Sequence, residues 1–238
     1  MSYETIEVEF DHPAAIIRLN RPDKRNALSI KLRNEVVDCL EKIEGDGEIK
    51  AVLITGNGKA FCAGFDLDEF QNPDPAHVEA IQESSHRFHS GLLNFSKPMV
   101  AAINGPAMAG GFDLAVMCDI RLASEKALFG HPELRFGSPV LYGLLKEAVG
   151  GGMARDLCLS GRNIDGAEAH RIGLVSKVTS PDKLMEESKA MLDEICKSPL
   201  NALINEKKSI MKSAREAIDD ATSSESQSFV DIIREGMK

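Results

Sequence analysis

The chain has 238 residues, of which 43% are hydrophobic and 27% charged, and its formal net charge is −9. This acidic balance argues against nucleic acid as a partner, because duplex affinity depends on basic surface. No apolar run approaches the ~18 residues of a membrane span, and residues 1–7 lack the basic and apolar regions of a signal peptide. We therefore expect a globular, cytoplasmic protein with no membrane partner.

The first elements predicted along the chain are a hairpin and a helix. Residues 5–10 and 14–19 alternate in a strand-like way around the turn residues Asp11-His12-Pro13. Ser29 stands at the N-cap position of a helix over about 30–44, whose apolar residues fall on one face.

Two glycine-bearing segments follow two apolar strand-like runs. Residues 51–55 lead into Phe61-Cys62-Ala63-Gly64-Phe65-Asp66, and residues 100–103 lead into the stretch 104–113, which contains Gly105, Gly110 and Gly111. Glycine lets a backbone turn sharply and approach a ligand without a Cβ in the way. Two such turns can aim two backbone N–H groups at one carbonyl oxygen, which is an oxyanion hole. The alternative is that both turns serve tight packing only.

The rest of the chain predicts strands that alternate with helices and then helices alone. The predicted helices cover 73–95, 110–118, 143–160 and 166–172, and the predicted strands cover 120–123 and 174–178. The fold class is therefore α/β. After Pro181 only helical spacing appears, ending with Phe229, Ile232 and Ile233. We place a boundary between a core of residues 1–180 and a helical region of residues 181–238.

Two carboxylates accompany the glycine segments. Asp113 lies one helical turn after Gly110, and Glu133 follows Pro132 twenty residues later. Two backbone donors with two carboxylates suggest enolate chemistry. The alternatives are that Asp113 only complements the helix dipole and that Glu133 is a solvated loop residue.

Metal chemistry finds little support in the sequence. The five cysteines are scattered without a C-x-x-C spacing, which predicts free thiols and no zinc site. His86 and His89 share a helix face without a third ligand. His131 neighbours Glu133 and can face a ligand pocket there or be purely structural.

Several motifs in order make the chain resemble the crotonase superfamily, which includes enoyl-CoA hydratases and isomerases. The resemblance runs from about Ile6 to Lys177. Its motifs are Leu19-Asn20-Arg21-Pro22, Asn26-Ala27-Leu28, Lys59-Ala60-Phe61-Cys62-Ala63-Gly64, Ala102-Ile103-Asn104-Gly105, Gly110-Gly111-Phe112-Asp113-Leu114-Ala115, Cys118-Asp119, Phe129-Gly130-His131-Pro132-Glu133 and Ile172-Gly173-Leu174-Val175.

The resemblance implies a crotonase-like fold, a spiral of repeated ββα units with a C-terminal helical region for trimerisation. It implies that the N–H groups of Phe65 and Gly110 form the oxyanion hole, and that Glu133 and Asp113 are catalytic, with Glu133 as the principal acid or base. It also implies a homotrimer or a dimer of trimers.

The substrate implied by the resemblance is an acyl-CoA thioester, with coenzyme A as part of the substrate and no separate cofactor. Lys24 and Arg25 are candidates for its phosphates, although each can equally belong to a solvated loop. Ala63, Asp66 and Leu67 would lie beside the pantetheine and adenine parts.

The first expectation for the activity is an enoyl-CoA hydratase, which adds water across the 2,3 double bond of a 2-enoyl-CoA. The alternatives are a Δ3,Δ2-enoyl-CoA isomerase that uses mainly Glu133, and a non-catalytic relative that binds acyl-CoA or RNA. Asp113 stands where typical hydratases carry glutamate, and the loop 135–143 is shorter than in those enzymes. Both departures keep the isomerase alternative open.

Overall fold

The computed structural model describes residues 3–71, 74–138 and 140–214. The strands of this part of the chain are β1 (Ile6–Asp11), β2 (Ala14–Leu19), β3 (Ala51–Gly56), β4 (Met99–Ile103), β5 (Ala107–Met108), β6 (Ile120–Ser124), β7 (Leu128–Gly130), β8 (Ile164–Asp165) and β9 (Lys177–Thr179). The α-helices are α1 (Ile30–Gly45), α2 (Pro75–Asn94), α3 (Gly110–Met117), α4 (Tyr142–Val149), α5 (Gly151–Ser160), α6 (Gly166–Arg171), α7 (Leu184–Cys196) and α8 (Leu200–Ser213). Short 3₁₀ helices cover Pro22–Lys24, Leu67–Gln71, Pro132–Phe136 and Pro181–Lys183.

The strands form two sheets. The larger has the order β1-β2-β3-β4-β6-β9, in which β1 is antiparallel to β2 and every later pair is parallel. The smaller has the order β5-β7-β8. Parallel neighbours need crossover connections, which α1 and α2 supply between β2, β3 and β4. Because β3 and β4 are parallel neighbours, the segments that follow them leave the sheet side by side.

Both faces of the larger sheet are covered by helices. Leu53 and Val100 pack with Leu184 of α7 on one face. Ile54, the next residue after Leu53, packs on the opposite face with Leu40 of α1. Successive side chains of a strand point to opposite faces, so the continuous apolar run of β3 serves both layers.

Helix α7 begins just beyond the predicted boundary at residue 180 and closes one face of the sheet. The division at residue 180 and the trimerisation role of residues 181–238 stay predictions. Phe229, Ile232 and Ile233, which we assign to a last helix, lie outside the described residues. Within residues 3–214 as described, no helix has both the length and the apolar character to cross a bilayer.

The hairpin and the first helix agree with the sequence-based expectation, including the N-cap, where Ser29 Oγ accepts from the Leu32 N–H at 3.2 Å. Two other expectations were wrong. The helix predicted over 143–160 is divided into α4 and α5, because Gly150 has φ +78° and interrupts the helical backbone. The last strand is β9 rather than 174–178, because the Leu174 and Val175 N–H groups both donate to the Ala169 carbonyl of α6 instead of to a neighbouring strand.

Candidate active site

The two glycine-bearing segments are joined to each other by backbone hydrogen bonds. The Phe61 and Cys62 N–H groups both donate to the Pro106 carbonyl, at 3.0 and 3.2 Å. The Met108 N–H donates back to the Cys62 carbonyl at 2.9 Å. The segment after β3 is therefore paired directly with the segment after β4.

Close approach at this junction excludes a side chain at Gly64. Gly64 has φ +92°, and a Cβ built on it would lie 2.8 Å from the Ala109 Cβ and 3.3 Å from the Gly110 nitrogen. Ala109 itself has φ +52° and ψ −132°, a region that side chains rarely occupy and that costs of order 1–3 kcal/mol. The peptide carrying the Phe65 N–H is thus held beside the start of α3.

Helix α3 begins at Gly110 and presents its N-terminus at this junction. The Phe112 and Asp113 N–H groups both donate to the Ala109 carbonyl, at 2.7 and 3.1 Å. The Gly110 N–H, by its position in the first turn, has no acceptor within the helix, and the helix dipole favours negative charge there. The structure brings Phe65 and Gly110 together, and their action as an oxyanion hole stays a prediction.

The Phe65 ring lies between Gly110 and a buried cation. The Arg33 guanidinium is 4.7 Å from the ring centroid and donates to the Leu28 carbonyl. Burial lowers the pKa of Arg33 to about 10, and the charge of Glu69, whose Oε2 lies 3.7 Å from Arg33 Nη2, partly offsets this effect. A Cβ on Gly110 would approach two ring carbons of Phe65 to 3.0 Å. Both candidate donor residues are consequently held by tight packing.

The two candidate catalytic carboxylates converge on one histidine. Asp113 is carried by α3, and Glu133 by the 3₁₀ helix Pro132–Phe136 that follows β7. His131 Nδ1 is 2.7 Å from Glu133 Oε1, and His131 Nε2 is 3.7 Å from Asp113 Oδ1. The Phe112 ring stacks on the imidazole, with centroids 4.6 Å apart and planes at 24°. Glu133 is therefore not a solvated loop residue.

Two polar atoms of this cluster are buried without a hydrogen-bond partner among the described residues, His131 Nε2 and Glu133 Oε2. Asp113, His131 and Glu133 each offer a ligand-type atom, and these atoms lie within 4.8 Å of one another. The distance of 2.7 Å between His131 Nδ1 and Glu133 Oε1 is that of a direct hydrogen bond. The cluster has the groups for proton transfer, and we assign it no metal.

Two neighbouring thiols stay protonated at neutral pH. Burial raises the pKa of Cys62 to about 12, and the nearby Asp113 charge raises it further. Burial raises the pKa of Cys158 to about 11, with added contributions from Asp113 and Glu133. These thiols are thus neutral packing groups rather than nucleophiles.

The residues proposed to contact coenzyme A lie at one edge of the site. The Ala63 N–H donates to the Arg25 carbonyl at 3.0 Å, which ties the loop after β2 to the first glycine segment. Lys24 Nζ forms an ion pair with Asp68 Oδ2 at 2.6 Å, and Leu67 is 63% exposed. An exposed pair of this kind contributes little to stability, so breaking it would cost little.

Asp66 differs from the other residues of this edge. Its carboxylate is nearly buried and forms an ion pair with Arg21 at 2.7 Å, while Arg21 Nη1 donates to the Ala27 carbonyl at 2.6 Å. The Asp66 side chain therefore braces the loop, and contact with a ligand would fall to its backbone.

Sequence reasoning missed two groups of the site. The location of His131 between the two carboxylates, with a hydrogen bond to Glu133, was not predicted, although its position two residues before Glu133 was a usable signal. Arg33 was also missed, and its signal was a basic residue in the apolar stripe of α1 that includes Val36, Val37 and Leu40.

The two histidines that share a face of the predicted second helix have different surroundings. His86 is exposed, and His89 is hydrogen-bonded to the Ser85 carbonyl at 2.9 Å.

Comparison with known proteins defines the class of this chain. Residues 9–237 match the sequence profile of the family "Enoyl-CoA hydratase/isomerase". The chain belongs to this family of enzymes, and its resemblance to the crotonase superfamily is confirmed.

Curated relatives and solved structures agree with that assignment. The chain is 40% identical to a probable enoyl-CoA hydratase of Rhizobium meliloti, over 90% of this chain and 83% of the relative. It is 35% identical to a short-chain-enoyl-CoA hydratase of Clostridium acetobutylicum, over 96% and 89%. A crystal structure of an enoyl-CoA hydratase/isomerase from Pseudoalteromonas atlantica superposes with a TM-score of 0.87 at 32% identity, over 96% and 91%. The crotonase-like α/β fold is therefore confirmed.

Replacing Gly111 by alanine is expected to separate the two glycine segments. A Cβ on Gly111 would lie 2.3 Å from the Cys62 carbonyl oxygen and 2.7 Å from its carbonyl carbon, both of them backbone atoms. Overpacking of this kind typically costs ~1–3 kcal/mol. Thermal unfolding should show a melting temperature lower by ~2–4 °C for each kcal/mol.

Gly47→Ala is the matched control, because a Cβ at Gly47 has no heavy atom within 4 Å. Equal melting temperatures for the two variants would contradict the tight junction.

Proposed function

We propose that this protein is an enoyl-CoA hydratase, which adds water across the 2,3 double bond of a 2-enoyl-CoA thioester. The observation that carries the proposal is the convergence of Asp113 and Glu133 beside the N-terminus of α3. One carboxylate oxygen of each residue and one His131 ring nitrogen all lie within 4.8 Å of one another. The relatives named as enoyl-CoA hydratases, at 35–40% identity over most of the chain, support the same activity.

The proposed mechanism begins with the thioester oxygen at the Phe65 and Gly110 N–H groups. These donors stabilise the negative charge that develops on the oxygen when a nucleophile adds at C3, and losing one such donor typically costs ~3 kcal/mol. Glu133 removes a proton from the water that attacks C3. Glu133, which now carries this proton, returns it to C2 of the resulting enolate, so that the net change is the addition of one water and Glu133 is again a carboxylate.

No redox cofactor enters this reaction, because hydration leaves the oxidation balance of the substrate unchanged. Coenzyme A is part of the substrate. We propose that Lys24 and Arg25 approach its phosphates and that the backbone of Ala63, Asp66 and Leu67 lies along its remainder. This placement is supported by the hydrogen bond between Ala63 and Arg25, which joins the loop after β2 to the first glycine segment along one edge of the site.

A Δ3,Δ2-enoyl-CoA isomerase is the second candidate, and the asymmetry of the cluster favours it. An isomerase needs one base that removes a proton at one carbon and returns it at another. Glu133 is held by His131 at 2.7 Å, whereas Asp113 is 3.7 Å from the same ring. A carboxylate whose orientation is fixed in this way suits a single-base reaction.

We also propose a homotrimer or a dimer of trimers as the solution state. The family resemblance supports it, and Leu159 and Ile210 are large apolar side chains exposed by 76% and 53% in the single chain. Light scattering after size exclusion should give about three or six times the chain mass of 25.9 kDa. A mass of one chain would contradict the proposal.

Product analysis tests the proposed activity directly. The purified protein is incubated separately with a 2-enoyl-CoA and with a 3-enoyl-CoA. We expect the first to give 3-hydroxyacyl-CoA. Conversion of only the 3-enoyl substrate to 2-enoyl-CoA would establish the isomerase instead, and inertness toward both would refute both activities.

Amide substitution of the carboxylates separates their roles. Glu133→Gln removes the proposed base and should lower kcat by ~10²–10⁴-fold, the usual contribution of general acid–base catalysis. Asp113→Asn should lower hydration strongly as well, but should affect an isomerase only mildly. Steady-state kinetics measures both effects, and binding of coenzyme A by calorimetry should be unchanged in Glu133→Gln. Full activity of Glu133→Gln would exclude Glu133 as the base.

A further inference from the structure

The placement of His131 gives its two ring nitrogens different partners. The residue is 1% exposed and lies between β7 and the 3₁₀ helix that carries Glu133. Stacking on Phe112 fixes the plane of the imidazole. In this plane Nδ1 points to Glu133 and Nε2 points to Asp113.

The distances show that the ring binds only one of the two carboxylates. At 2.7 Å, Nδ1 and Glu133 Oε1 form a short hydrogen bond. The proposed reaction uses Glu133 as a base, and a carboxylate acting as a base only accepts, so the proposal assigns the proton of this bond to Nδ1. At 3.7 Å, Nε2 and Asp113 Oδ1 are too far apart for a hydrogen bond. The ring thus fixes Glu133 and faces Asp113 without holding it.

The two Glu133 oxygens therefore differ in their hydrogen-bond partners. Oε1 is occupied by the histidine, whereas Oε2 is buried and has no partner among the described residues. A buried acceptor without a partner is unfavourable, and it is retained here at the one carboxylate that the proposed reaction needs as a base. A substrate or water proton can satisfy Oε2.

We infer that His131 is a positioning residue, whose Nδ1–H holds Glu133 through Oε1 so that Oε2 is the oxygen that exchanges protons with the substrate. The inference rests on the proposed function of the site. His131 does not itself touch the reacting atoms. A misplacement of about 1 Å in a catalytic group can cost ~10²-fold in rate, which sets the size of the effect.

The test uses two substitutions of similar size and different hydrogen-bonding capacity. In His131→Leu the bulk against Phe112 is kept, but the donor to Glu133 is lost. In His131→Asn the side-chain amide nitrogen takes the place of Nδ1 and can still donate to Glu133. Substituting the exposed His86 by asparagine is the control for the general effect of this exchange.

We expect kcat of His131→Leu to fall by ~10–100-fold with KM changed by less than about threefold, because the base is displaced while binding is preserved. His131→Asn should recover most of the lost kcat. The inference is overturned if folded His131→Leu keeps kcat within about twofold of the unsubstituted enzyme. It is also overturned if folded His131→Asn is no more active than His131→Leu.

A second measurement does not depend on turnover or on the folding of a His131 variant. Nitrogen-detected NMR of the unsubstituted protein should show the His131 proton on Nδ1, with a resonance that shifts in Glu133→Gln. A proton on Nε2 alone would overturn the inference. An inactive enzyme with a protonated Nδ1 that responds to Glu133→Gln would refute the proposed function and still support the positioning of Glu133 by His131.

Discussion

The site depends on the direct pairing of two backbone segments at the end of neighbouring parallel strands. The segment after β3 and the segment after β4 share hydrogen bonds through Cys62, Pro106 and Met108. This pairing sets the Phe65 peptide beside the start of α3, and α3 in turn carries Asp113. Because the pairing is made by main-chain atoms, it depends on the absence of side chains at Gly64 and Gly111 and on the register of the sheet. Sites placed on regular elements in this way are held more rigidly than sites on free loops.

The second constraint is electrostatic. The Asp113 and Glu133 carboxylates lie on either side of His131, with Asp113 buried and Glu133 partly buried. His131 is hydrogen-bonded to Glu133, and Phe112 stacks on the imidazole and limits the orientations of the ring. The neighbouring thiols stay neutral, so they add no further charge. The result is a pair of carboxylates in unequal surroundings, which is the usual structural basis for giving two acids different roles.

The relation between the two proposed activities follows from this inequality. Hydration benefits from two carboxylates that hold one water between them. Double-bond isomerisation requires a single carboxylate, which removes a proton from one carbon and returns it to another. Glu133 is held tightly and Asp113 lies at a greater distance from the same imidazole, so the chain contains the groups for either reaction. In the proposed mechanism, the positions of the acyl chain and the water relative to Glu133 Oε2 decide between hydration and isomerisation. The family to which the chain belongs contains enzymes of both kinds.

The sequence alone determined the fold class, the glycine segments, the first helix with its Ser29 cap and the pair Asp113 and Glu133, because each of these leaves a local signal in periodicity, spacing or residue type. Only the tertiary structure decided how those parts meet. The division of the predicted helix at Gly150 depended on a backbone angle that many glycines do not adopt. The small sheet of β5, β7 and β8 has strands of two or three residues, too short for a periodic pattern. The contacts of Arg33 with Phe65 and of His131 with both carboxylates join residues on separate elements, and their distances are set by packing between those elements rather than by spacing along the chain.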